Sequence, residues 1–107
     1  CGVSFFATDK LFAELEGEFP QCLNGAPILL PGAGTELRNS IDRWLDKHRI
    51  YPRMVAEFDD SALMKAFGQE GAGVFIAPAA IEAEVERQYK VTAIGQIDEV
   101  QEQFYAI

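Results

Sequence analysis

Cations are what this sequence most conspicuously lacks: nine Lys and Arg stand against seventeen Asp and Glu, a net charge of −8. The shortage is uneven. Through Arg53 six Lys/Arg face seven Asp/Glu, whereas beyond it three face ten. A segment so short of Lys and Arg cannot displace counterions from phosphate, which excludes nucleic-acid gripping by this stretch of chain. Cysteine is also scarce. Cys1 and Cys22 are the two present, and with no CxxC and no Cys/His cluster they make neither a disulfide framework nor a metal site, so reduced thiols in the cytoplasm are expected. The single histidine, His48, has no Ser or Cys with a partner acid around it, which removes the usual nucleophilic constellations and gives the expectation of no enzyme. No apolar run approaches the roughly 20 residues needed to cross a bilayer. Nucleotide motifs are missing too: PGAGT lacks the GK[ST] ending of a P-loop, and Gly71-Ala72-Gly73 precedes a strand where the dinucleotide fingerprint would open a helix.

What remains is a chain of 107 residues, 49% of them hydrophobic, enough for one domain with a real core. Read in order, Cys1 to Ala7 is a short apolar strand ending at Thr8, and Lys10 to Leu15 a short helix closed by Gly17. Two prolines and an Asn-Gly pair make Pro20 to Pro27 irregular. Ile28 to Leu30 is a strand, and Pro31 to Thr35 a glycine turn opening a helix whose apolar face is Leu37, Ile41, Trp44, Leu45 and His48. The other face of that helix, Arg38 included, reads as solvated. Met54 to Phe58 is the next strand. After a helix with Leu63, Met64 and Phe67 inward and Gly68 and Gly71 as its stops, Val74 to Ala77 reads as a central parallel strand, apolar on both faces. A helix from Ile81 to Gln88, a strand at Val91 to Ile94 and a final strand at Gln101 to Ile107 complete the reading. The whole is one α/β unit, residues 1–107, with a mixed and mostly parallel sheet flanked by helices.

The stretch from Glu57 to Pro78 organises the rest, because strand, helix and parallel strand form a crossover, and open α/β sheets bind ligands at the carboxyl ends of such strands. Asp59 and Asp60, with Glu57 close by, are the sharpest polar cluster. Carboxylates converging on one turn are hard-cation ligands, but Asp before a helix is more often its N-cap, and a positive helix start opposes a cation. The glycines of PGAGT and GAG are most simply turns, His48 a packed or dipole-stabilised side chain, and Trp44, Phe58, Phe67 and Phe75 core. Glu82, Glu84 and Glu86 read as solvated.

PILLPGAGTELRNSIDRWLDKHRI, then an acidic strand end, a helix and GAGVFIAP, resembles the second regulatory subdomain of LysR-type transcriptional regulators. The resemblance covers the whole chain. Through CGVSFF, EFDDSALMKAFG and FIAP it looks more narrowly like the sodium-responsive activators of that family. It implies one lobe of a type 2 periplasmic-binding-protein-like domain, with Cys1 to Ala7 and Gln101 to Ile107 as the two crossover strands. It further implies an effector cleft bordered by Thr8, Thr35, Asp59, Asp60 and Pro78, with Asp59 and Asp60 available to a sodium or lithium ion acting as effector and no other cofactor. The implied context is a cytoplasmic homodimer or homotetramer in which a first regulatory subdomain and a winged helix-turn-helix lie outside this segment, so that it makes no direct contact with DNA or membrane. One lobe of a solute-binding transport protein is the alternative, and an enzyme stands third, since the fold alone does not settle function.

Overall fold

The computed structural model describes residues 2–98. Within them five strands and four α-helices follow one another as β1 (Val3–Ala7), α1 (Asp9–Glu14), β2 (Pro27–Pro31), α2 (Glu36–Lys47), β3 (Arg53–Phe58), α3 (Ser61–Gln69), β4 (Phe75–Pro78), α4 (Glu82–Tyr89) and β5 (Thr92–Ile97), with short 3-10 turns at Gln21–Leu23 and Ala79–Ile81. Strand β1 lies between β4 and β5 and runs antiparallel to both, while β2 and β3 form a parallel pair. The two sheets meet where Ile28 bridges Val74 in parallel, with Leu29 N donating to Val74 O at 2.7 Å and Val74 N to Pro27 O at 2.9 Å. The spatial order is therefore β3, β2, β4, β1, β5.

That order bears out a mixed α/β lobe and revises how it is paired. The segment read as a central parallel strand is central and buried, but β4 pairs along its length with β1 antiparallel, and its parallel contact is the single bridge at Val74. Parallel pairing does not dominate. The expected crossover from β3 through α3 to β4 exists, yet it passes over β2 to the strand on its far side. The chain turns back on itself between β2 and β4, which is the place where such sheets open a crevice.

Ring packing fixes the layers. Phe5 faces Trp44 of α2 at 6.0 Å and Phe19 at 5.4 Å. Its neighbour Phe6, on the other face by strand alternation, stacks on Phe75 at 5.3 Å. Gly68 of α3 comes so close to Phe75 that a Cβ there would enter the ring. This corrects the expected role of Gly68: it sits inside the helix as a contact point, and the chain reverses at Gly71, whose φ of 83° suits glycine. Gly95 plays the same part under Phe19.

The inward face of α3 is narrower than expected. Met64 and Gly68 are buried, whereas Leu63 and Phe67 are 49% and 46% exposed. Residues 64 and 68 point at the sheet, which puts 63 and 67 on the helix flank, where Phe67 meets Phe58 at 5.2 Å. His48 is exposed and lies against the Trp44 ring at 4.7 Å. The expected strand Gln101 to Ile107 lies outside the described residues, as does Cys1. No helix among the described residues is long and apolar enough to cross a membrane.

Candidate functional site

Because β2, β3 and β4 run parallel, they end on one edge, at Pro31, Phe58 and Pro78. Strand β1, antiparallel to β4, begins on that edge, with Val3 opposite Pro78 on one side and Ile97 on the other. A cleft of about 390 Å³ opens there. Its floor is apolar, with Val3, Met64, Ile76 and Ala77, and its polar groups are the Asp59 carboxylate, the Ser61 hydroxyl and the Lys65 amine. A few polar groups over an apolar floor at a topological switch point is the arrangement of a small-molecule site.

The sequence-derived residues divide sharply. Asp59 and Pro78 line the cleft. Asp60 caps α3, its Oδ1 accepting from Ala62 N at 2.9 Å. Thr35 caps α2 at the end of the turn that follows Pro31. It accepts from Arg38 N at 3.1 Å and donates to Gly32 O at 3.0 Å. Thr8 stands apart: it caps α1 at the far end of β1, beside Gly71, on the edge opposite the cleft. Its expected place at the cleft came with the family resemblance, and the antiparallel register of β1 sends its end the other way.

Nor do the three carboxylates converge. Asp60 turns to its own helix, and Glu57 binds Arg38 at 2.6 Å. Asp59 leans over Gly32, its Oδ1 only 2.5 Å from where a Cβ on that glycine would sit. Among the described residues no group of three or more His, Cys, Asp or Glu is arranged to hold a metal ion.

Arg38 is the residue that reading the helix as amphipathic missed. Its side chain is 13% exposed, and its guanidinium donates to Pro31 O at 3.0 Å, to Glu57 at 2.6 Å and to Asp42 at 3.1 and 3.2 Å. The Glu57 hydrogen bond holds its pKa above the ordinary arginine value, against the partial burial that pulls it down. The signal available in the sequence was the Arg38/Asp42 pair at i and i+4; the contact with Glu57, on another element, has no local signature. A second polar tie lies under the cleft floor, where the fully buried Ser4 hydroxyl donates to Glu82 at 2.5 Å.

The family described as LysR substrate binding domain matches residues 5–107. The chain belongs to that family. It is 35% identical over all 107 residues to the transcriptional activator protein NhaR of Escherichia coli K12, of which it covers 35%. Among solved structures, the CcmR regulatory domain of Synechocystis PCC6803 in complex with 2-PG superposes with a TM-score of 0.70 at 14% identity, over 87% of this chain and 45% of that one. The effector binding domain of QuiR in complex with shikimate gives 0.69 at 15% identity, over 96% and 46%. The chain thus spans about a third of its curated LysR relative and just under half of each solved LysR domain. Membership of a regulator family takes the place of the transport reading.

Proposed function

We propose that this lobe is one jaw of the effector cleft of a cytoplasmic LysR-type transcriptional regulator, an activator that responds to sodium or to another small effector. The observation that supports it is the cleft itself, placed at the carboxyl ends of β2, β3 and β4 in a LysR substrate binding domain. The chain enters β1 and leaves β5 on that same edge, so a first regulatory subdomain joined there would face the cleft and close it. A winged helix-turn-helix elsewhere in the full-length protein would bind DNA, and a homodimer or homotetramer would relay the change.

Mechanistically this is a population shift: an effector held between two jaws favours the orientation in which both touch it. An ion with equal affinity for both orientations would shift nothing. If the effector is sodium or lithium, this jaw supplies one free carboxylate, Asp59, with Ser61 nearby, and the opposing jaw completes the oxygen shell. Turnover has no part in the reading.

The test is a melting experiment on the full-length regulator in sodium, lithium or potassium chloride at equal ionic strength. A selective site filled to one hundred times its Kd adds about 2.7 kcal/mol, so sodium and lithium should raise Tm above potassium, and Asp59→Asn should erase the difference. Equal shifts in all three salts would leave only screening and remove the ion from the proposal.

A further inference from the structure

One wall of the cleft is held in place by a residue that lies behind it. That wall is built from three elements: Pro31 at the end of β2, Leu37 on the first turn of α2, and Phe58 and Asp59 at the end of β3. Leu37 and Phe58 pack against the core, but the turn that joins these elements lies at the surface. Pro31 and Phe58 are only partly buried, and Ala33, Gly34, Thr35 and Asp59 are exposed. Hydrophobic packing therefore cannot fix the turn between Pro31 and Thr35, and hydrogen bonds must.

Arg38 makes the bonds that join all three elements. Its backbone N–H donates to Thr35 Oγ1 at 3.1 Å and so grips the far end of the turn, while its guanidinium donates to Pro31 O at 3.0 Å and grips the near end. The same guanidinium takes Glu57 at 2.6 Å, one residue before Phe58 and two before Asp59, and so ties the β3 end to the turn. Asp42, one helical turn on, holds the guanidinium from its other side. Arg38 itself lines a separate hollow of about 290 Å³ on the outer side, together with Asp42 and Met54. It does not line the cleft.

We propose that Arg38 is the positioning residue of the effector cleft, setting the Pro31–Thr35 turn and the β3 end, and through them Asp59, in the geometry that receives the effector. This rests on the cleft being the effector site. A planar fork meets a carbonyl and a carboxylate at once, whereas a lysine ammonium on the same stem is a single point of donation. Loss of the fork leaves the backbone pairing of the β2 and β3 ends, in which Gly32 N–H donates to Phe58 O at 3.0 Å.

The experiment compares the full-length regulator with its Arg38→Met and Arg38→Lys variants, following amide hydrogen exchange and then the sodium chloride response of Tm against potassium chloride. In Arg38→Met the Gly32 amide should exchange about tenfold faster, the cost of losing one charge-assisted tie, while the Leu29 and Val74 amides stay at the parent rate. Arg38→Lys should recover part of the protection. The half-saturating sodium concentration should rise about threefold or more with the maximal shift kept, since the competent geometry becomes a smaller fraction of the population. An unchanged Gly32 rate, or equal acceleration at Gly32, Leu29 and Val74, overturns the proposal, the second because it marks general destabilisation. A looser Gly32 with an unmoved sodium response also overturns it, because the turn is then held for no purpose at the cleft. A parent protein with no sodium-specific shift removes sodium as the effector, and the exchange rates alone then decide whether Arg38 positions the turn.

Discussion

Strand β1 is buried at every residue, whereas β3 exposes four of its six, and the two ends of the sheet are held by different forces. Around β1 the antiparallel strands are clamped by aromatic packing: Phe5 against Trp44 and Phe19, Phe6 against Phe75. At the β2/β3 end the ties that matter are polar, from Arg38 to Pro31 and Glu57 and from Thr35 to Gly32. Packing gives a rigid floor at native density. Hydrogen bonds at an exposed edge open at lower free energy. The cleft proposed for the effector draws its floor from the first region and its wall from the second.

The strongest way to break that contrast is to place the same methyl group in both regions. Gly68→Ala drives a Cβ into the Phe75 ring, which is fully buried and stacked on Phe6. Alanine gains up to about 1 kcal/mol over glycine from helix propensity alone, so a substitution that should stabilise an ordinary helix is expected here to cost about 2 kcal/mol or more through overpacking. Gly32→Ala meets the end of the Asp59 side chain instead, and a carboxylate can swing aside. Its unfolding free energy should stay within about 0.5 kcal/mol of the parent, while Asp59 is pushed from its place in the cleft. Denaturant unfolding of both variants checks the pair, and equal losses would dissolve the distinction between packed floor and polar wall.

These glycines also show what was legible in the sequence. The order of strands and helices came through, because apolar periodicity and caps are local signals: Thr35 and Asp60 sit where cap chemistry places them. Pairing partners did not, because nothing in FIAP states whether its neighbour runs parallel or antiparallel. Gly68 looked like a helix stop because a glycine pressed against a ring and a glycine in a left-handed turn are spelled alike. At the cleft, Asp59 and Pro78 were found from strand ends, but Arg38 was assigned to solvent, since its partner Glu57 lies nineteen residues away.

A finer comparison lies between two adjacent acids. Asp60 caps α3 by accepting from Ala62 N, and Asp60→Ala should cost about 1 kcal/mol, within the 0.5 to 2 kcal/mol usual for a lost cap. Asp59 follows β3 and is not the residue that caps α3, so Asp59→Ala should change stability by under about 0.5 kcal/mol while removing the cleft's carboxylate. Thermal melts of the two variants at low salt distinguish them; an equal loss in both would mean that the cap is shared and that Asp59 is structural.

The smallest expected effect sharpens the contrast through pH. Cys22 is 2% exposed and belongs to the apolar core, and burial pushes its thiol pKa up, with a backbone hydrogen bond pulling the other way. A group whose folded pKa is raised holds its proton more tightly in the folded state. Its contribution is therefore fully present below the unfolded thiol pKa of about 8.5 and is lost as pH rises from there through the folded value, at no more than about 1.4 kcal/mol per pH unit for one proton. The alkaline decline in Tm should be shallower in Cys22→Ala than in the parent, although the alanine variant starts slightly lower from lost packing. Asp59 belongs to the cleft and not to the packed region, so Asp59→Asn should leave the alkaline slope as it is. An identical slope in Cys22→Ala would show that the thiolate is accommodated after all, and that the packed region yields more readily than its burial implies.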